Sequence, residues 1–325
     1  MNYLVSILVP IYGVEQFIEK CVVSLFEQTY DNIEYIFVND CTPDRSIEIL
    51  NSVLERYPDR KNKVKVLRHE YNRGLAAARN TAVAAAMGDF IIHVDSDDYI
   101  ETDTVEKCIV KQSENDADIV SFGCFREYKH KTVEQLPPLY KDVKDMCLSL
   151  IQKKKDGHII NVGIWGRLIR RSLYTDNHIE AAEGINMAED YQVITRLSYF
   201  AKNIGVIREP LAHYNLQNTS SYVNSITLKN AQQTEKSFQI VFDFFNDKGD
   251  DFSKAVYTGL AEQLFRRIVD GIDGHFGKDD YSQTVVKWKG IPCHIKNNMS
   301  LMRRVVFANF GIARLYISII RFLKI

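Results

Sequence analysis

Short apolar runs alternate with helical segments in the first third of the chain, and this alternation constrains the fold more than any other feature. The apolar runs have the length of strands and occupy residues 4–10, 33–38, 64–67 and 89–92. Between them lie segments such as 14–25, where apolar residues recur every three or four positions. Strands that alternate with helices form βαβ units around a parallel sheet. We therefore predict an α/β fold, continued by a further strand over 118–122.

The composition is that of an ordinary globular protein and excludes several functional classes. Charged residues make up 26% of the 325 residues and hydrophobic residues 46%, which is enough for a large domain with an extension. A net charge of -1 argues against nucleic-acid binding, which needs a basic excess. The six cysteines form no C-x-x-C pair, which argues against a zinc site and favours reduced thiols in the cytoplasm. We expect no signal peptide, because the N-terminus has no basic segment and Pro10 interrupts its apolar run early. We also expect no membrane span, because no apolar run reaches about 18 residues.

Three carboxylates, Asp95, Asp97 and Asp98, follow the fourth predicted strand. In an open α/β sheet, ligands bind at the carboxyl ends of the strands. Carboxylates this close repel one another unless a cation lies among them, and Mg²⁺ or Mn²⁺ takes oxygen ligands from carboxylates and substrate phosphates. The stretch therefore predicts a site for a divalent cation and a phosphate. The alternative is a solvated acidic turn that caps a helix beginning near Glu101.

The strand signals fade from about Leu228 onward, and long helical patterns replace them. Residues 124–160 are mixed and predict a hairpin and a loop at Pro137-Pro138. Beyond these, helical periodicity covers 228–247, 252–270 and 300–323. We accordingly predict an α/β domain over 1–225 and a helical extension over 226–325.

The last 26 residues combine apolar and basic side chains and contain no acid. On a single helical wheel Arg303, Arg314 and Arg321 fall within about 20° of one another, with Arg304 and Lys324 beside them. One interpretation is a terminal helix that packs on the domain. The other is an interfacial helix over 300–325 that makes peripheral contact with an anionic membrane.

Six short motifs in the first 222 residues occur in the order and at the spacings seen in one enzyme family. The chain resembles the family 2 glycosyltransferases, which have the GT-A fold. The motifs that carry the resemblance are Ser6–Tyr12, Val38–Asp40 with Asp44 and Ser46, Asn72–Asn80, Asp95–Asp98, Trp165–Arg171 and Glu189-Asp190. The resemblance implies a GT-A domain over 1–225 that transfers a sugar from a nucleotide diphosphate donor, UDP being favoured, to an acceptor hydroxyl with inversion. It also implies a role in surface polysaccharide synthesis.

The resemblance assigns roles to the residues expected around the donor. Asp97 matches the metal-binding position of the family's D-x-D motif, and Asp95 would contact the metal or the donor ribose. Asp40 matches the residue that accepts a hydrogen bond from the nucleotide base. Pro10 and Tyr12 match positions that line the base pocket, and Arg79 would lie on the nucleotide side. The family's Asp-Gly-Ser is Asp40-Cys41-Thr42 here, and the missing glycine restricts the loop backbone.

Two further residues are expected to act on the acceptor and the metal. Asp190 matches the general base that an inverting transfer requires, although acidic residues at a helix start also complement the helix dipole. His213 is a candidate third metal ligand, since some GT-A enzymes use a late histidine. The expected cofactor is Mn²⁺ or Mg²⁺.

The expected partners are a nucleotide-sugar donor and a glycan or lipid-linked glycan acceptor, met in the cytoplasm or at the inner face of the plasma membrane. One alternative is a sugar-1-phosphate nucleotidyltransferase. Such an enzyme would need a glycine-rich basic loop after the first strand, whereas residues 9–15 contain one glycine and no base. The other alternative is a non-catalytic module that binds nucleotide sugars.

Overall fold

The computed structural model describes residues 2–218, 227–273 and 277–322. Strands and helices alternate along the first third of the chain, as the apolar pattern predicts. The strands here are β1 (Val5–Ile11), β2 (Ile33–Asn39), β3 (Val64–Arg68) and β4 (Phe90–His93). The helices between them are α1 (Ile18–Phe26), α2 (Ser46–Arg56) and α3 (Leu75–Ala85).

The middle of the chain adds the remaining strands and several short helices. These elements are β5 (Tyr99–Ile100), α4 (Thr104–Asn115), β6 (Ile119–Tyr128), β7 (Lys131–Gln135), α5 (Val143–Gln152), β8 (Lys154–Lys155), β9 (His158–Ile159), β10 (Arg167–Arg170), α6 (Ser172–Thr175), α7 (Glu189–Phe200) and β11 (Ile204–Asn215). β6 and β7 form the predicted hairpin, and Pro137-Pro138 lies in the irregular segment that follows β7.

One sheet of mixed but mostly parallel strands runs through the molecule. Among the described residues its order is β3-β2-β1-β4-β10-β6-β11-β5, with β7 at the side of β6. β1 pairs in parallel with both β2 and β4, so the carboxyl ends of these three strands meet at one edge. Asp40 follows β2 and the acidic stretch follows β4, and the topology therefore places both beside the end of β1.

β1 is buried along its whole length because helices cover both faces of the sheet. On one face Val5, Ile7 and Val9 join a core with α1 and α2. On the other face Leu8 packs with alanines of α3 and with apolar residues of α7. Burial on both faces explains why the first strand reads as a continuous apolar run rather than an alternating one.

The helical extension packs against the α/β part rather than standing apart from it. Among the described residues it contains α8 (Leu228–Phe245), α9 (Asp250–Asp273), α10 (Lys278–Lys289), α11 (Cys293–Asn298), α12 (Leu301–Val305) and α13 (Phe310–Phe322). Phe238 and Val241 of α8 share a buried cluster with Ile151 of α5 and Tyr191 of α7. The predicted boundary at residue 225 falls outside the described residues.

The prediction of a single helix over 300–323 is wrong. α12 ends at Val305 and α13 begins at Phe310, and the turn between them buries Val306 and Phe307. The Phe307 ring stacks on Trp288 with 3.9 Å between ring centroids, and this packing requires the chain to turn. Arg304 and Arg314 therefore lie on different helices, and a single helical wheel does not give their relative directions. The side chains of Arg303, Arg321 and Lys324 lie outside the part of the molecule that the structure describes.

The turn at Phe307 makes a prediction about stability. Phe307→Ala removes a ring that is 5% exposed, whereas the control Leu315→Ala shortens a side chain that is 63% exposed. We expect the first variant to lower the free energy of unfolding by about 3–5 kcal/mol and the second by less than about 0.5 kcal/mol. Urea denaturation measures both, and equal effects would show that Phe307 is not part of a packed core.

Candidate active site

A cleft of about 420 Å³ opens at the carboxyl ends of β1, β2 and β4. The cleft brings together every predicted site residue except His213. Its lining includes Pro10, Tyr12, Asp40, Arg79, Asp95, Asp97 and Asp190. These residues come from the ends of β1, β2 and β4, from α3 and from the start of α7.

Asp40 organises the loop that leads into α3. Its Oδ1 accepts a hydrogen bond from Arg73 N at 2.8 Å and lies 2.6 Å from His69 Nδ1. Its Oδ2 accepts one from Gly74 N at 2.8 Å. A carboxylate offers about four acceptor positions, and these three contacts leave one of them. Cys41, at the family's glycine position, has a φ of 56°, the left-handed conformation that glycine adopts most easily.

Each carboxylate of the acidic loop is held by a different part of the chain. Asp95 Oδ1 accepts a hydrogen bond from Arg79 Nη2 at 2.7 Å, Asp97 Oδ2 from Asn218 Nδ2 at 2.8 Å, and Asp98 Oδ1 from Asn215 N at 2.8 Å. Burial, followed by repulsion from Asp95, raises the pKa of Asp97. Burial, then Asp97 and Asp95, raise the pKa of Asp98. The loop thus carries more buried negative charge than its neighbours neutralise.

The alternative of a solvated turn that caps a helix is wrong. Asp97 and Asp98 are largely buried, and α4 begins only at Thr104, without a side-chain cap. Within the described ranges, no three His, Cys, Asp or Glu side chains form a complete metal site. An Mg²⁺ or Mn²⁺ ion held by one or two carboxylates and by substrate phosphates needs no such set. The donor oxygens of Asp95 and Asp97 fit a hard cation of this kind.

The structure does not bring His213 into the cleft. Its Nδ1 lies 2.8 Å from Glu127 Oε1, and its Nε2 lies 2.7 Å from Glu101 Oε1. The imidazole ring stacks on Tyr99 with 4.0 Å between centroids. Both ring nitrogens are engaged by carboxylates, and His213 is therefore not among the residues that would hold the metal.

Glu189 and Asp190 form the first turn of α7, directly opposite Arg79. Asp190 Oδ1 accepts a hydrogen bond from Tyr191 N at 2.7 Å, and burial raises the pKa of Asp190, while Arg79 and Lys153 oppose the rise. Glu189 is 4% exposed and lies 3.7 Å from Arg79 Nη2. Burial, and then Asp190, raise the pKa of Glu189 to about 8. Burial thus favours the protonated form of both acids, and the positive charge of Arg79 opposes this effect at both.

Several cleft residues were not identified from the sequence as site residues. Trp165 and Tyr214 line the cleft as a stacked pair with 5.0 Å between ring centroids. Asn186 and Asn218 contribute amides from two further loops. These four residues are far apart along the chain, so their proximity could not be predicted from the sequence. Trp165 does belong to one of the motifs that carried the resemblance.

Comparison with known proteins identifies the family. The sequence model described as glycosyl transferase family 2 matches residues 6–177. The glycosyltransferase GlyG of Streptococcus pneumoniae is 38% identical over 299 residues, which cover 88% of this chain and 90% of GlyG. The chain belongs to glycosyl transferase family 2. This membership sets aside the nucleotidyltransferase alternative and makes the protein an enzyme.

Two further proteins bear on this family 2 enzyme. The poly(ribitol-phosphate) beta-glucosyltransferase of Bacillus spizizenii is 32% identical over 205 residues, 62% of this chain but only 30% of that protein. The crystal structure of S. aureus TarS 1–349 in complex with UDP-GlcNAc has a TM-score of 0.74 at 20% identity and covers 98% of this chain and 91% of TarS 1–349. The structural likeness shows the same GT-A fold.

Glu189→Gln should change the pH dependence of stability in a definite direction. Folding raises the pKa of Glu189 from 4.5 to about 8, so the folded protein keeps a proton that the unfolded chain loses. The resulting stability is fully present below pH 4.5 and is lost as the pH rises towards about 8. The amide of the variant does not titrate, and its free energy of unfolding should rise relative to wild type across this window. Urea denaturation at several pH values measures the difference, and a flat difference would contradict the raised pKa.

Proposed function

We propose that this family 2 enzyme is a metal-dependent, inverting glycosyltransferase that uses a UDP-sugar and glycosylates a cell-surface glycan. The observation that carries the proposal is one cleft in which the acidic loop, Asp40 and Asp190 lie together. Support for the donor comes from TarS, whose structure contains UDP-GlcNAc. Support for a surface-glycan acceptor comes from the relative named for poly(ribitol-phosphate).

The donor side of the cleft is suited to a nucleotide diphosphate. Tyr12 is 48% exposed at the end of β1, so its ring is available to stack on a pyrimidine. Asp40 accepts a hydrogen bond from the base beside it. Asp95 and Asp97 would hold a divalent cation, which when bound neutralises the charge that grows on the leaving diphosphate.

Asp190 acts on the acceptor side as the general base. It removes the proton of the acceptor hydroxyl while the oxygen attacks the anomeric carbon and the bond to the diphosphate breaks. Burial raises its pKa towards the working pH, which suits a base that must gain and release a proton. A single displacement of this kind inverts the anomeric configuration.

The acceptor is a glycan or lipid-linked glycan, and we propose that the enzyme meets it at the cytoplasmic face of the membrane. Residues 281–325 contain no acid. On α13, the exposed Ile312, Arg314 and Leu315 combine apolar and cationic character, as in peripheral contacts with anionic lipid. No helix in the described ranges has both the length and the apolar character to cross a bilayer.

The membrane contact predicts that the protein sediments with anionic vesicles at low salt. Arg314→Glu combined with Leu315→Ser should release it, because the change removes both a cation and an exposed apolar group. Lys236→Glu, an exposed charge change on α8, serves as the control. Truncation at residue 300 is unsuitable because it removes the buried Val306 and Phe307. Wild-type protein that stays in the supernatant would refute the contact.

Release of UDP from a panel of UDP-sugars, in the presence of Mn²⁺, tests the function directly. Asp97→Asn should lower turnover by roughly 10²-fold or more, because stabilisation of the leaving group by a cation is worth several kcal/mol. Excess EDTA should inhibit the wild type to a similar degree. Asp103→Asn changes a partly exposed carboxylate outside the cleft and should leave turnover unchanged. Full activity in EDTA would rule out metal dependence.

Asp190→Asn should separate catalysis from donor binding. We expect turnover to fall by about 10²–10⁴-fold, the usual contribution of a general base. The affinity for UDP, measured by calorimetry, should remain close to that of the wild type because Asp190 contacts the acceptor. Affinity that is lost together with turnover would place Asp190 in the donor site instead.

A further inference from the structure

Helix α8 of the extension holds the backbone of the segment that precedes Glu189 and Asp190. Asn186 N donates a hydrogen bond to Gln233 Oε1 at 3.0 Å, and Gln233 Nε2 donates one to Gly184 O at 3.3 Å. One turn further along α8, Ser237 Oγ donates to Met187 O at 2.9 Å. Three hydrogen bonds from two side chains thus fix segment 184–187.

The opposite side of this segment lies against the start of α3. Asn186 Oδ1 accepts a hydrogen bond from Ala76 N at 3.2 Å. A Cβ atom built on Gly74 would lie 2.3 Å from Asn186 Nδ2, which shows how closely the two segments approach. Ala188, between this segment and α7, has a φ of 57°. A non-glycine residue holds this conformation only when its surroundings impose it.

α8 also contacts the residues that follow Asp190. The Phe238 ring packs on Tyr191 with 4.7 Å between centroids, and Lys153 Nζ lies 4.2 Å and 4.3 Å from the Tyr191 and Phe238 ring centroids. Gln192 Nε2 donates to Ser237 Oγ at 3.5 Å. The helix therefore supports the chain on both sides of the Glu189-Asp190 pair.

We propose that α8 is a positioning element for the general base, and that Gln233 and Ser237 are its positioning residues. The inference rests on the proposed function of Asp190. A general base must lie within hydrogen-bond reach of the acceptor hydroxyl, and a misplacement of about 1 Å reduces the rate by roughly 10²-fold. Neither Gln233 nor Ser237 lines the cleft, and both act through the backbone that they hold. The helical extension is thus part of the catalytic unit.

Adjacent glutamines on α8 provide a matched pair of variants. Gln233→Met keeps the length of the side chain but removes both hydrogen bonds, whereas Gln232→Met changes an exposed neighbour. We expect kcat to fall by about 10–10²-fold in the first variant and to stay unchanged in the second. The Kd for UDP should stay within about threefold of wild type in both, because Pro10, Tyr12 and Asp40 line the cleft and Gln233 does not. Gln233→Glu keeps the acceptor for Asn186 N–H and should restore part of kcat.

Amide hydrogen exchange provides a readout that does not depend on activity. The backbone N–H of Asn186 should exchange faster in Gln233→Met than in Gln232→Met or wild type, because its acceptor, Gln233 Oε1, is removed. Unchanged exchange at Asn186, or wild-type kcat in Gln233→Met, would overturn the positioning role. Loss of UDP affinity in step with kcat would also overturn it, since Gln233 would then support the cleft as a whole. Wild-type protein that transfers no sugar would count against the proposed function, while the exchange measurement would still decide whether α8 holds the segment.

Discussion

The candidate active site depends on the contacts of the buried Arg79 guanidinium with acids from both sides of the cleft. The guanidinium lies 2.7 Å from Asp95 on the acidic loop and 3.7 Å from Glu189 on α7. Burial lowers the pKa of Arg79, but the neighbouring acids, Asp95 first, outweigh burial and raise it. A buried cation is tolerated only when acids pair with it, and buried acids likewise need a cation. Without Arg79, the acidic loop and the start of α7 would present several buried carboxylates with little to neutralise them. One cationic side chain therefore offsets the acidic groups of both the acidic loop and the start of α7.

The position of Arg79 follows from the sheet through a short series of contacts. β1, β2 and β4 run in parallel, so Asp40 and the acidic loop emerge at the same edge. Asp40 binds the backbone N–H groups of Arg73 and Gly74 and so fixes the start of α3. Arg79 follows one turn later on α3, directed towards Asp95. The residue expected to recognise the base thus also orients the helix that carries the central cation.

The helical extension completes this arrangement from the other side. Its first helix shares a buried cluster with α5 and α7, and its polar side chains hold the segment before Glu189 and Asp190. α8 thus holds the segment on the side opposite to its hydrogen bond with α3. A family 2 enzyme of this kind is therefore better described as one packed unit than as a catalytic domain with an appendage.

The sequence by itself determined the α/β fold and most of the cleft. Continuous apolar runs require burial on both faces, and parallel strands bring their carboxyl ends together, so Asp40, Asp95 and Asp97 had to lie at one edge. Only the tertiary structure decided the surroundings of His213. Its partners Glu101 and Glu127 are 112 and 86 residues away along the chain. The tertiary structure also decided the turn at Phe307, because stacking on Trp288 overrides a local pattern that favours one long helix. Periodicity reports which face of a segment is buried, but the partner that covers that face is chosen by packing between distant parts of the chain.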